Sequence, residues 1–170
     1  SFAYELLGIG DINARLRRSA LTKPFSQLLP CPYYMLTFTV PAEVREFIRS
    51  HPKECYRALM QASSATLLKL AKDPKYVGSK RLGFTSVFHT WGRDLCYHPH
   101  VHALVPGGAI SKDGASWLPS RLDFLVPIWA ASKIFRAKFK SLMEQAGLLE
   151  KIPKEVWKKG WNVNCKAVGD

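Results

Sequence analysis

The chain has 170 residues, which is long enough for one domain with its own hydrophobic core. It carries 25 Lys and Arg against 13 Asp and Glu, a formal net charge of +12. This charge excludes an acidic binding protein and favours a polyanionic partner, most often nucleic acid. The longest apolar run, residues 124–131, contains Pro127 and is too short to span a bilayer, so we expect no membrane partner.

Cysteine spacing and the first residues indicate the compartment. The four cysteines include no C-x-x-C pair, so we expect reduced thiols and not a zinc ribbon or a disulfide framework. The opening residues lack the basic region and cleavage site of a secretion signal. Both observations favour a cytoplasmic protein.

The predicted elements, in chain order, mix strands and helices. Strands are predicted at residues 33–40, 82–91, 99–105 and 161–167, with a short hairpin at 109–118. Helices are predicted from Pro41, over 53–72 and over 126–146, with Gly147 as a C-cap. In the last helix we expect Ile128, Phe135, Phe139 and Leu142 to share the buried side. The pattern predicts an α+β fold, an antiparallel sheet with helices packed on one face.

We expect two regions of unequal character. Residues 1–27 are heterogeneous and contain a basic group at Arg15, Arg17 and Arg18, which is typical of an N-terminal arm. Residues 28–170 hold all the predicted strands and long helices, and we expect them to form the main domain.

The histidines are the most informative feature of the sequence. Three of the five lie at positions 98, 100 and 102. Residues i and i+2 of a strand share a face, so His100 and His102 point the same way while Val101 points to the other side. Two imidazoles on one face favour a metal site over structural histidines.

A third ligand is needed, and the sequence leaves its identity open. His89 lies on the preceding strand, which the turn at residues 92–94 folds back toward His100. His98 is the second candidate, weakened because Pro99 disturbs the local strand. The strand register, which would decide between them, is not given by the sequence. Imidazole ligands favour zinc, copper, iron or nickel over magnesium, and Cys96 would allow a Cys/His zinc site.

An ordered set of motifs resembles the HUH endonucleases, and among them the rolling-circle transposases of the insertion-sequence-ninety-one kind. Residues 38–45, Phe-Thr-Val-Pro-Ala-Glu-Val-Arg, are similar to one block of that family. Residues 89–92, His-Thr-Trp-Gly, and 98–108, His-Pro-His-Val-His-Ala-Leu-Val-Pro-Gly-Gly, resemble its central block. Residues 135–139, Phe-Arg-Ala-Lys-Phe, resemble a later one. The resemblance covers about residues 28–166.

The resemblance implies an HUH/ferredoxin-like fold with His-Val-His on a central strand. It also implies metal-dependent nicking and strand transfer of single-stranded DNA in the bacterial cytoplasm, with a tyrosine as nucleophile. His100 and His102 would be catalytic metal ligands, with His89 and His98 as further candidates. The metal would be Mg²⁺ or Mn²⁺, with Zn²⁺ as the weaker alternative.

Two family features have no counterpart in this sequence. Residues 1–27 hold no Cys or His where the family has a zinc-binding region. The family's tyrosine follows the last strand, and none of the six tyrosines here lies in such a motif. Tyr97 adjoins the histidines, but alternation places it off their face. We therefore expect a truncated transposase without the tyrosine helix.

Basic residues near the C-terminal end predict contacts with nucleic acid. Charges that follow phosphates, together with rings that stack on bases, are typical of single-strand binding. Besides the three arginines of the arm, the candidates are Lys133, Arg136, Lys138, Lys140, Trp157, Lys158 and Lys159. Alternatives to the enzyme are a non-catalytic DNA-binding remnant or repressor, and a zinc-stabilised structural protein. The oligomeric state is left open.

Overall fold

The computed structural model describes residues 29–92, 94–120 and 125–168, and the predicted arm at residues 1–27 lies outside them. From Cys31 onward the described chain forms one compact unit. Its strands are β1 (Tyr33–Thr39), β2 (Thr85–Trp91), β3 (Tyr97–Pro106), β4 (Gly108–Ile110), β5 (Trp117–Pro119) and β6 (Asn162–Val168). Its α-helices are α1 (Ala42–Ser50), α2 (Pro52–Ala71) and α3 (Ile128–Gln145), and short 3-10 helices follow at Leu149–Lys151 and Lys154–Trp157.

The main sheet has the strand order β2-β3-β1-β6, with each neighbouring pair antiparallel. The strand that carries the histidines, β3, is therefore an inner strand between β2 and β1. It begins at Tyr97, two residues earlier than predicted, and includes Pro99. The β2–β3 register shifts between His89 and Trp91, opposite Pro99, because proline cannot donate to the ladder. The predicted α+β class with an antiparallel sheet is confirmed.

The helices pack against one face of this sheet and enclose the core. On β3 the inward side chains are Val101, Ala103 and Val105, each fully buried. Phe38 of β1 meets Phe135 of α3, with ring centroids 5.1 Å apart. Each buried Val or Phe side chain contributes roughly 1.5–3 kcal/mol by leaving water. The histidines alternate with these core residues, so the same packing directs them to the other face.

The last helix corrects one prediction. Phe135 and Phe139 are buried and Leu142 packs against the core, as expected, but Ile128 is 49% exposed. Ile128 is the first residue of α3, and the buried stripe of this helix starts one turn later at Ala131. Gly147 has a φ of +67° and ends the helix as predicted, with Leu148 N–H donating to the Met143 carbonyl at 2.9 Å.

Two smaller points complete the fold. The predicted hairpin exists as β4 paired with β5, and Gly114 in its loop has a φ of +80°. Among the described residues, the helices are all too short or too polar to cross a membrane.

Candidate metal centre

Three histidines from two neighbouring strands meet on the face of the sheet opposite the helices. His100 and His102 stand on the same side of β3, while Val101 between them is fully buried. The antiparallel pairing of β2 with β3 puts His89 directly opposite His100. One ligand nitrogen from each of His89, His100 and His102 lies within 4.8 Å of the other two.

The rings of these histidines contact one another at several points. Ring centroids are 4.7 Å apart for His89 and His102, 5.1 Å for His89 and His100, and 4.7 Å for His100 and His102. Nε2 of His100 lies 3.0 Å from Nε2 of His102. The ring of His98 is 5.3 Å from that of His100, but His98 is not in the group whose ligand atoms converge. The register thus brings His89 to the site and leaves His98 at its margin.

Two hydrogen bonds fix the outer nitrogens of the β3 pair. The Nδ1–H of His100 donates to the carbonyl oxygen of His98 at 2.5 Å. Nδ1 of His102 lies 3.0 Å from Oγ1 of Thr37, its cross-strand partner on β1. Both rings therefore turn Nε2 toward the shared space, which is the arrangement that outer-shell partners impose on metal-ligating histidines.

These contacts determine the tautomers. A neutral His100 that donates through Nδ1 has an unprotonated Nε2, so it accepts the Nε2–H of His102. Nδ1 of His102 then accepts the hydroxyl proton of Thr37. If His102 held a cation through Nε2, it would have to carry its proton on Nδ1 instead, with Thr37 as acceptor. The Thr37 hydroxyl group can donate to an unprotonated Nδ1 of His102 and can accept from a protonated one.

The surroundings of the β3 histidines favour their uncharged form. Burial, and then the neighbouring His100 and His89, lower the pKa of His102 to about 4. Burial also lowers the pKa of His100, and the nearby Arg45 lowers it further. The pKa of His98 falls for the same two reasons. Neutral imidazole is the form that binds metals.

The donor set fits a divalent cation. Three neutral imidazoles with converging nitrogens provide three ligands and leave the cation's own charge uncompensated, with room for further oxygen ligands. The Cys/His zinc alternative is not assembled here. Cys96 is exposed, its backbone N–H donates to Asp94 Oδ1 at 3.2 Å, and the converging group does not include it.

Tyr97 lies on the helix side of the sheet, as alternation predicts. Its hydroxyl is 3.1 Å from that of Tyr56 on α2. The guanidinium of Arg49 is 5.7 Å from the centre of the Tyr97 ring. Burial, followed by the bond to Tyr56, raises the pKa of Tyr97 above its usual value. The hydroxyl is therefore directed away from the histidines and kept protonated.

The described residues predicted to contact nucleic acid lie on α3 and on the segment before β6. Several of them have partners within the chain: Lys133 lies 5.3 Å from the Trp129 ring centre, Lys140 lies 5.9 Å from that of Trp157, Arg136 donates to the Lys159 carbonyl, and Lys159 pairs with Glu43. Trp157 stacks on Trp161 at 5.6 Å and is only half-exposed. Lys138 and Lys158 are exposed, and Arg15, Arg17 and Arg18 lie outside the described residues.

Sequence reasoning missed polar residues that share the histidine face. Thr37 pairs with His102 on one side and with Asn164 of β6 on the other, so all three lie in one row across the sheet. Thr39 connects His100 to Asn162 in the same way. Asn162 and Asn164 are exposed. A register for β1 would have found them, but single-sequence patterns do not provide one.

Comparisons with known proteins agree with this geometry. Residues 83–170, just over half of the chain, match the family model Y2_Tnp, described as "Putative transposase". The chain is 36% identical over 121 residues to "Putative transposase y4qJ" of Sinorhizobium fredii, covering 71% of this chain and 30% of that protein. It is 32% identical over 98 residues to "Transposase for insertion sequence element IS801" of Pseudomonas savastanoi pv. phaseolicola, covering 55% of this chain and 22% of that protein. The chain thus spans less than a third of either relative.

Solved structures share the fold. The conjugative relaxase TrwC in complex with a 27-mer DNA matches with a TM-score of 0.52 and 19% identity, covering 66% of this chain and 44% of that one. A copper-bound TrwC structure with DNA matches with a TM-score of 0.51 and 18% identity, covering 66% and 42%. At this identity the likeness shows the fold alone, which this chain shares with TrwC. The family model, which matches just over half of the chain, shows that this chain belongs to the transposase family Y2_Tnp.

Proposed function

We propose that this chain provides the metal-binding half of a rolling-circle transposase, which nicks single-stranded DNA and transfers the cut strand. The observation that carries the proposal is the convergence of His89, His100 and His102 on one face of the sheet. The cation we assign to them is Mg²⁺ or Mn²⁺, since the phosphate of the DNA would add hard oxygen ligands to the imidazoles. A structure of the same fold, the relaxase TrwC with DNA, is copper-bound, which supports metal binding by a protein of this fold.

The partner we propose is single-stranded DNA. The net charge of +12 favours binding to a polyanion. The TrwC structures of the same fold contain DNA. Exposed Asn162, Asn164 and Lys166 extend the histidine face across β6 with hydrogen-bond donors for phosphates and bases. We further propose that the basic arm at residues 1–27 contacts the DNA backbone. We also propose that the protein acts in the cytoplasm of a bacterium.

In the proposed reaction each residue has a defined task. His89, His100 and His102 would hold the cation through neutral imidazole nitrogens, and Thr37 would orient His102. When bound, the cation would polarise the scissile phosphate and neutralise developing charge. The antiparallel pairing of β2 with β3 places His89 directly opposite His100, so the ligands need little rearrangement.

The position of Tyr97 does not suit a nucleophile. Its hydroxyl faces Tyr56 and the helices, away from the histidines, and covalent attack needs in-line placement at the phosphate. We propose that a tyrosine of the family motif, which this sequence does not contain, performs that step. Incubation with single-stranded DNA and Mn²⁺ should then give no denaturation-resistant adduct, and an adduct abolished by Tyr97→Phe would overturn this assignment.

The test of the proposal is a calorimetric titration of Mn²⁺ into the wild-type chain and the variants His100→Ala and His102→Ala. We expect saturable binding near one site in the wild type and none in either variant. A parallel titration with single-stranded DNA, with and without Mn²⁺, should show metal-dependent affinity. Binding of DNA that depends on salt but not on metal or on these histidines would instead favour the non-catalytic repressor.

A further inference from the structure

A guanidinium group lies beside the histidines, and none of the described carboxylates forms an ion pair with it. Arg45 belongs to the first half of α1, which follows β1 directly and packs against β3. The end of β1 pairs with β3 where Thr39 faces His100, so α1 starts next to the metal centre. After burial, the positive charge of Arg45 is a further cause of the lowered pKa of both His98 and His100, as expected of a neighbouring cation.

The hydrogen bonding of Arg45 is incomplete. Its Nε is buried and makes no hydrogen bond to any part of the chain that the structure describes. Within those same residues, 29–92, 94–120 and 125–168, no carboxylate forms an ion pair with it; the nearby Glu43 is paired with Lys159, and Asp94 is bonded to Cys96. Buried polar atoms are nearly always hydrogen-bonded, and the Arg45 side chain as a whole is half-buried. Its unbonded Nε is therefore available to a partner that these described residues do not supply.

The positive charge expected at the site indicates that the partner of Arg45 is an anion. The converging ligands are three neutral imidazoles, so a divalent cation would keep its full charge. Arg45 adds a second positive charge next to it. An anion between two cationic groups attracts both of them and so offsets their mutual repulsion. A guanidinium offers parallel N–H donors that match two oxygens of a phosphate.

We propose that Arg45 is a phosphate-binding residue, which holds a backbone phosphate of the DNA at the edge of the metal centre. This inference rests on the proposed function. The residue would act on the strand and not on the cation, so it restrains the phosphate in a fixed orientation relative to the histidines. It differs in this from Arg49, one turn further along α1, whose guanidinium lies over the Tyr97 ring.

The test compares Arg45→Ala and Arg45→Lys with the wild type and with the charge-matched control Lys69→Ala. Lys69 is exposed in the last turn of α2. Two quantities are measured: calorimetric Mn²⁺ affinity without DNA, and fluorescence-anisotropy affinity for a labelled oligo(dT) of about 20 nucleotides in Mn²⁺ at several salt concentrations.

Arg45→Ala should affect DNA binding and Mn²⁺ binding differently. Arg45→Ala should weaken DNA binding about tenfold and reduce the salt slope by about 0.7, the value for one phosphate contact on a single strand. The same variant should bind Mn²⁺ alone at least as tightly as the wild type, because a repelling charge is gone. Arg45→Lys should recover part of the DNA affinity, since it keeps the charge but not the planar fork. Lys69→Ala should leave Mn²⁺ affinity unchanged and DNA affinity nearly so.

The outcomes separate the two proposals. If the wild type fails to bind Mn²⁺ through its histidines, the proposed function fails. If the wild type binds Mn²⁺ and DNA but Arg45→Ala matches Lys69→Ala in DNA affinity and salt slope, the phosphate-binding role of Arg45 is wrong. Loss of Mn²⁺ binding and DNA binding together in Arg45→Ala would mean a structural role and would also overturn it. Should Arg45→Ala not fold, Arg45→Gln replaces it with the same criteria.

Discussion

Oγ1 of Thr37 lies 3.0 Å from Nδ1 of His102, across the pairing of β1 with β3. This contact links a strand without metal ligands to the strand that carries two of them. The hydroxyl can donate to an unprotonated Nδ1 or accept from a protonated one. It therefore holds the ring in one orientation while allowing the proton of His102 to change nitrogen.

Thr37→Val tests this contact, because it replaces the hydroxyl by a methyl group of similar size. We expect Mn²⁺ affinity to fall roughly 10–100-fold, the usual effect of losing an outer-shell partner of a metal ligand. Thr37→Ser should restore most of the affinity. Calorimetry at one fixed pH measures all three proteins, and equal affinity in the valine variant would show that the hydroxyl does not position His102.

The identity of the third ligand gives a second prediction. His89→Ala should weaken Mn²⁺ binding by more than the roughly 10–100-fold expected for an outer-shell change, because a direct ligand is lost. His98→Ala should bind nearly as well as wild type, since His98 supports His100 through its backbone carbonyl and not through its ring. The reverse result would exchange the roles of the two histidines.

The neutral histidines predict how stability depends on pH. His102 takes up a proton at about 4 in the folded chain and at 6.5 in the unfolded chain, so the unfolded state binds more protons between these values. The free energy of unfolding should therefore fall as pH drops from 6.5 to about 4, at most by about 1.4 kcal/mol per unit of pKa shift. Urea denaturation of the metal-free chain at several pH values measures this. The decline should be shallower in His102→Gln, and an equal slope would contradict the assignment.

Core packing gives a fourth prediction, with both variants on α3. Phe135→Ala removes a fully buried ring that contacts Phe38 and Trp161, and should destabilise the chain by roughly 3–5 kcal/mol. Trp129→Ala removes a larger ring that is 65% exposed, and should change stability by about 0.5 kcal/mol or less. Thermal or urea unfolding distinguishes the two. Similar losses in both variants would mean that Trp129 is covered in solution.

Much of the fold follows from local sequence patterns. The alternation of Val101, Ala103 and Val105 with the histidines is a two-residue period, so it defined both the strand and the face on which His100 and His102 lie. The helices were predicted from apolar residues at helical spacing and from the prolines and the glycine at their ends. The prediction that Ile128 is buried is wrong, because helical spacing gives the direction of a side chain but not how far the neighbouring core extends.

The rest of the site depends on long-range pairing. His89 was a candidate from its strand, but only the β2–β3 register places it opposite His100 and leaves His98 outside. Thr37 is separated from His102 by 65 positions in the chain, and Arg45 reaches the centre from a helix. A single sequence contains no signal for such contacts, because register is determined by the complete sheet.

The two strands that supply the histidines differ in how they are held. β3 is paired on both sides, whereas β2 is the outer strand of the main sheet and has β3 as its partner there. A cation bound to His89 and to the β3 histidines would join the outer strand to the inner one, in addition to the backbone ladder. Opening of the hairpin would then require release of the ion. The amide protons of β2 should accordingly exchange with solvent more slowly as Mn²⁺ is added, so that the hairpin itself reports the occupancy of the site.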